Sequence, residues 1–403
     1  MPSTYPAKKR PLMWASQFHN LLGPIVSALF SGNAIVVKGS EATAWSSKYF
    51  VSIVHGALKA CNHPAALVQS ITCWPAVAPT LTSHPGLAHI TFIGSRAVAH
   101  DVCASAAKAL TPVCVELGGK DAAIVLDDVA NLPRVASILM RAVFQSAGQN
   151  CIGVERVIAC AAVYDDLVRL VETRIRALRL GSDLDDDDVD VGAMISDASF
   201  ARLQSTIAEA VQQGARLLVG GTPFAHPKHR KGHYFTPTLL VDVTPSMRVA
   251  REELFGPVFV VMRATSVADA VQMANSTAYG LGASVFGSRR RDLDAVVAGL
   301  QVGMVSVNDF AVYYAVQLPF GGVKGSGYGR FGGQEGLRAL CNTKSVCADR
   351  WSGWVSTAIP PALDYPIGSA RRAWEMCRGI VEVGYGETVG RRVRGGWKVV
   401  RNG

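Results

Sequence analysis

The chain has 403 residues, of which 49% are hydrophobic and 18% charged, and its formal net charge is +9. That balance excludes an intrinsically disordered chain, and the length excludes one simple core, so two or three domains are expected. The nine cysteines, an odd number with no C-x-x-C pair and no Cys/His ligand spacing, exclude a disulfide framework and a structural zinc site. They fit a reducing compartment, and a cytoplasmic location is expected.

The first ten residues are polar and basic, with no apolar signal core. Residues 11–37 carry no formal charge, but His19, Asn20, Gly23, Pro24 and Gly32 interrupt the run. It reads as a buried helix followed by a buried strand rather than a membrane span. Strands are expected at 34–38, 67–71, 89–93 and 113–116, alternating with helices at 46–59 and 96–110. This alternation argues for a doubly wound parallel sheet, which binds ligands beyond the carboxyl ends of its strands. The second half repeats the style, with strands at 157–160, 217–219, 238–241, 258–262 and 304–308. Its helices are expected at 164–179, 201–213 and 267–276. The fold class is therefore α/β, with two doubly wound domains, 1–117 and 118–340, joined near Leu117-Gly118-Gly119. Residues 350–403 change character: rich in Pro, Arg and Gly, with nine Lys/Arg against four acids, they read as a basic extension, partly ordered at most. Two readings of this tail stand together, a solvated extension and a weak contact with an acidic membrane surface; nucleic acid is not an expected partner.

The chemistry concentrates in two segments, Val115-Glu116-Leu117-Gly118-Gly119-Lys120 and Gly148-Gln149-Asn150-Cys151. Cys151 is a candidate nucleophile, because glycine-rich backbone lets a substrate approach its sulfur and amide N–H. Glu116 closes a strand beside two glycines and is a candidate base for activating water. Alone, Glu116 would read as a salt-bridge partner of Lys120, and Cys151 as a buried cysteine. In Phe92-Ile93-Gly94-Ser95 a strand turns into a helix at Gly94, with Ser95 as N-cap, and a helix N-terminus favours phosphate oxygens. Lys38 and Glu41, three apart after a strand, are placed to reach ribose hydroxyls. A carboxylate there disfavours a 2′-phosphate, so NAD is expected over NADP. The G-x-G-x-x-G at Gly327 to Gly332 lacks the strand–helix context of a dinucleotide fingerprint. The six aspartates within 183–190 lack the glycine and terminal Glu of a calcium loop.

Together, in this order, these segments resemble the aldehyde dehydrogenase superfamily over about residues 18–349. Asn275-x3-Tyr279-Gly280-Leu281 and Pro319-Phe320-Gly321-Gly322-Val323-Lys324-x-Ser326-Gly327 extend the likeness. The runs from Phe18 to Pro24 and from Ile359 to Pro366 look most like a fungal and plant long-form branch, N-terminally shortened here. Some members of that branch carry an N-terminal membrane segment, so membrane association is the alternative location. The resemblance implies a Rossmann-like coenzyme domain, a catalytic domain and, at 341–349, a remnant strand of an oligomerisation flap, hence a homo-oligomer. It implies NAD-dependent oxidation of an aldehyde to a carboxylic acid. Cys151 would attack the aldehyde, the oxyanion would be held by the Cys151 N–H and an asparagine, and Glu116 would activate water against the thioester. Within Arg251-Glu252-Glu253-Leu254-Phe255-Gly256-Pro257 it assigns Glu253 to the nicotinamide ribose and Phe255 to packing the ring. Asn308 and Lys120 would be structural neighbours. One position departs: Trp14 is followed by Ala15 where the family has its oxyanion asparagine, and losing such a donor costs about 100- to 1000-fold in rate. The alternative is a catalytically impaired relative that binds nucleotide or partner subunits.

Overall fold

A computed structural model describes residues 10–15, 18–182, 188–315, 317–349, 353 and 358–403, without the side chains of 10–15 and 313. The chain divides into two compact units, Met1–Asn342 and Thr343–Gly403.

The first unit holds two large sheets. Its strands in chain order are β1 (Arg10–Ala15), β2 (Ile35–Gly39), β3 (Val68–Thr72), β4 (Leu87–Ile93), β5 (Val113–Glu116), β6 (Asp121–Val125), β7 (Val154–Cys160) and β8 (Arg216–Val219). They continue with β9 (Pro223–Phe224), β10 (Tyr234–Phe235), β11 (Thr238–Val241), β12 (Val258–Ala264), β13 (Gly282–Phe286), β14 (Met304–Val307) and β15 (Gly327–Tyr328). The first sheet runs β15-β5-β4-β1-β2-β3 and the second β14-β13-β6-β7-β12-β11-β8, with β9 and β10 forming a small ribbon. Each large sheet is parallel except for one edge strand, β15 in the first and β8 in the second. The chain changes sheets between Glu116 and Asp121, across Gly118-Gly119.

Every residue of β6 and β7 is buried, as expected for central parallel strands covered on both faces. The helices Leu132–Phe144, Ala161–Arg176 and Phe200–Gln212 turn Leu139, Leu167 and Leu203 into the core of the second sheet. The sequence reading omitted β1, β6 and β13 and the helices Leu132–Phe144 and Arg290–Gly299. The first of these helices has clear local signals. Asn131 caps it by accepting from the Arg134 N–H at 2.9 Å, and Pro133 occupies its first turn. Strand β6 is Asp121 followed by four apolar residues close after the glycine join, too short to declare its period.

The second unit corrects one expectation, while the strand implied at 341–349 is expected to pair within an assembly. Residues 343–349 are exposed and form no strand within the chain, since a strand exists only where a neighbour accepts its ladder of hydrogen bonds. The basic extension, read as partly ordered at most, instead carries two helices, Ala370–Tyr385 and Val389–Asn402. Ser369 and Thr388 cap them, accepting from the N–H groups of Arg372 and Arg391. The helices pack closely because Gly379 and Gly395 meet: a Cβ on Gly379 would lie 2.8 Å from the Gly395 carbonyl oxygen. Lys398 Nζ reaches Glu382 at 2.8 Å across the pair. Composition resembled a linker; the helical order comes from caps and from packing between two segments.

Candidate active site

Glu116 is the last residue of β5, held between β4 and β15 in register with Ile93 and Gly327. It therefore stands at the carboxyl edge of the first sheet, where the chain leaves for the second. Its side chain is buried, and the Gly118 N–H donates to Oε1 at 3.2 Å. Gly118 has φ +77°, and a Cβ there would overlap the Glu253 carboxylate, so glycine is required on two counts.

Cys151 follows a tight turn in which Ser146, Ala147 and Gly148 all have positive φ. A Cβ on Gly148 would overlap the Gly256 carbonyl oxygen, so the turn lies directly against Gly256-Pro257. Gln149 fixes the approach by accepting the Ile195 N–H at 2.9 Å. The Cys151 side chain is half-buried, its Sγ 4.0 Å from Asn150 Oδ1, and it lines the same cleft as Glu116. Burial lifts the thiol pKa far above its ordinary value, and the Glu116 charge adds to the lift. Burial also pushes Glu116 up to about 7, opposed by the Gly118 N–H and by the nearby Cys151 thiol. The pair thus favours a protonated thiol facing a carboxylate poised near neutrality, which can take up the thiol proton.

Lys120 is not the partner of Glu116. Its Nζ pairs with Glu155 Oε2 at 2.7 Å, fully buried. Glu155 also accepts the N–H groups of Leu254 (2.8 Å) and Phe255 (2.8 Å). These contacts hold Phe255 at φ +53°, an uncommon conformation for an aromatic residue. Glu253 is pinned by the Gly119 N–H at 3.0 Å, and burial raises its pKa to about 8. Asn308, also at positive φ, exchanges two 2.9 Å hydrogen bonds with Gly287, a structural role.

One open cleft of about 990 Å³ brings most of these groups together. Gly94, Ser95, Glu116, Cys151, Glu253 and Phe255 all line it. Gly94 is tied to the base strand by its N–H, which donates to the Glu116 carbonyl at 3.0 Å. Ser95 occupies the N-cap position of the helix Arg96–Ala107, yet its side chain makes no capping bond. Lys38 and Glu41 are not among the lining residues. They sit beyond the carboxyl end of β2, with Lys38 buried, Glu41 exposed, and Nζ 3.4 Å from Oε2. The Ala15 side chain lies outside the described residues. Arg141 and Tyr314 line the cleft and escaped sequence reading; Asn20 and Gln149, which also line it, lie in segments that the sequence reading quoted without assigning them a role. So did Glu155, although an acid within the apolar run after Cys151 was a usable signal. The G-x-G-x-x-G stretch is the edge strand β15 and its turn, not a phosphate loop. Among the described residues no cluster of His, Cys, Asp and Glu could hold a metal ion.

Fold and cleft define a class of α/β protein in which a thiol and a carboxylate meet where two parallel-rich sheets join. A model of the aldehyde dehydrogenase family matches residues 13–346, and the chain belongs to that family. The aldehyde dehydrogenase-like protein YHR039C of Saccharomyces cerevisiae is 53% identical over 389 residues, covering 94% of this chain and 60% of its own length. The chain therefore spans about 60% of that relative. Lactaldehyde dehydrogenase from Escherichia coli superposes with a TM-score of 0.77 at 30% identity, over 84% of this chain and 70% of that one. An aldehyde dehydrogenase of Mycobacterium tuberculosis complexed with NAD+ superposes with a TM-score of 0.73 at 29% identity, over 82% and 67%.

Proposed function

We propose that the chain oxidises an aldehyde to a carboxylic acid with NAD, through a covalent adduct on Cys151. The observation that carries this reading is the placement of Glu116 and Cys151 together on the wall of the cleft that also exposes the Gly94-Ser95 turn. Glu116 accepts the thiol proton as the sulfur bonds to the aldehyde carbon, and the Cys151 N–H faces the developing oxyanion. Bound NAD would supply the hydride acceptor that converts the adduct to a thioester. Glu116 gives the thiol proton up to solvent and, again a carboxylate, takes a proton from water, which attacks the thioester; the acid leaves and Glu116 returns its proton to the departing Cys151 thiolate. The helix N-terminus at Ser95 suits the cofactor's phosphates, and Lys38 and Glu41 its adenosine ribose. Glu253 and Phe255 suit the nicotinamide end. In this reading the first sheet carries the coenzyme and the second the nucleophile. The strand that the family resemblance implies at 341–349 would pair with a second copy of the chain, as in a homo-oligomer, and the compartment proposed is the cytoplasm.

The test is NADH formation by the purified chain offered NAD and a mixed set of aldehydes, with Cys151→Ala as control. NAD binding without Cys151-dependent turnover would instead favour the impaired relative that Ala15 suggests. Two further outcomes are expected. Since Glu116 acts as its carboxylate and its pKa is about 7, activity rises with pH through that value. A pH–rate profile should lose this limb in Glu116→Gln, with turnover down about 100- to 10,000-fold. NAD should outperform NADP in kcat/KM, and Glu41→Gln should narrow the ratio. Equal values for the two cofactors in the parent chain would remove Glu41 from the argument.

A further inference from the structure

The helix Val389–Asn402 contains five Lys/Arg and no Asp or Glu. Val389, Val393, Trp397 and Val400 recur at intervals of four, four and three, which places them on one face of the helix. All four are exposed, Trp397 by 69% and Val400 by 77%. The contact with its partner helix uses a different face, centred on Gly395, the helix's one buried residue. The apolar stripe is therefore turned away from the hairpin's own interior. Helical spacing sets Arg394 and Arg401 along one margin of the stripe and Arg392 along the other. Arg391, Arg392, Arg394 and Arg401 form no ion pair among the described residues, while Lys398 is engaged by Glu382. Every charge on the helix that bears the stripe is a cation, and the nearest acid along the chain, exposed Glu387, lies ahead of its first residue. An apolar face carrying a tryptophan, with low overall hydrophobicity and a wholly cationic polar side, matches a helix that lies in the interface of an anionic bilayer. No helix among the described residues is long and apolar enough to cross a membrane, so the contact is one of lying on the surface.

We propose that the helix Val389–Asn402 docks the protein onto an anionic lipid surface, with the Val389/Val393/Trp397/Val400 stripe among the acyl chains and the flanking arginines on the headgroups. The inference is independent of the catalytic reading.

The test is co-sedimentation of the full chain with vesicles of phosphatidylserine and phosphatidylcholine, and with phosphatidylcholine alone. Binding should require phosphatidylserine and weaken as salt is raised. The variant Val393→Asp/Trp397→Ser should bind at least about tenfold more weakly. Arg391→Glu/Arg394→Glu/Arg401→Glu should lose the phosphatidylserine dependence. These side chains are exposed, so both variants should keep the parent's thermal transition. Absence of vesicle binding by the parent chain would overturn the proposal. So would a concentration-dependent dimer broken by Trp397→Ser, which would assign the stripe to a second copy, or tighter binding to a nucleic acid oligomer than to the vesicles.

Discussion

Cys151→Ala should abolish aldehyde-dependent NADH formation, lowering turnover by at least about 10,000-fold, the scale on which loss of a catalytic nucleophile acts. The fold should survive. Cys151 is half-buried, and its main packing neighbours, Ile152, Leu281, Met304 and Phe320, form a cluster that does not depend on the sulfur. A thermal transition unchanged from the parent, together with vanished turnover, is the expected pair of results. A variant that kept a tenth of the parent's rate would refute the covalent reading outright. The companion measurement is mass spectrometry of Glu116→Gln quenched during turnover. With the sulfur present and the water-activating carboxylate gone, an acyl adduct on Cys151 should accumulate.

The second large effect is on stability. Glu155 satisfies three buried donors at once: the Lys120 ammonium and the backbone N–H groups of Leu254 and Phe255. Glu155→Leu strands all three. Removing one partner of a buried ion pair costs about 3–5 kcal/mol, which in a domain of this size lowers Tm by roughly 10 °C. Lys120→Met should cost less, because its Glu155 still accepts from the backbone. Calorimetry on the two variants should rank them in that order. Equal losses would mean that the ion pair matters and the backbone bonds do not. Glu155→Leu also frees Phe255 from its left-handed conformation, so KM for NAD should rise more in this variant than in Lys120→Met.

Cys151 and Glu116 stood out in the sequence through the glycines around them, and the structure shows why those glycines are needed. Gly118 and Gly148 have positive φ and sit where a side chain would collide with Glu253 and Gly256. Such needs leave a mark within a few residues. The roles of Glu253 and Phe255 rest on family resemblance, and the structure adds only that both line the cleft with Glu116 and Cys151. What could not be read is whatever depends on pairing across the chain. Lys120 chooses Glu155, 35 residues away, over the neighbouring Glu116, and nothing in either segment records that choice. The same holds for the C-terminal hairpin, whose glycines look like linker residues until two helices are brought together. Residues 343–349 show the converse: a strand expected from resemblance forms no pairing in a single chain.

Strand β15 gives the assembly of the site a direction in time. It hydrogen-bonds to β5 through Gly327 and Tyr328, and the Leu117 N–H donates to the Ser326 carbonyl at 3.0 Å. The segment that carries Glu116 is therefore flanked on one side by backbone that leaves the ribosome roughly two hundred residues later. Until that late piece arrives, β5 is an open sheet edge whose outer backbone groups face water. A nascent chain stalled before residue 327 would contain both Cys151 and Glu116, yet the strand that closes this edge would be missing. Completion of the first sheet is thus a late event in the synthesis of this polypeptide.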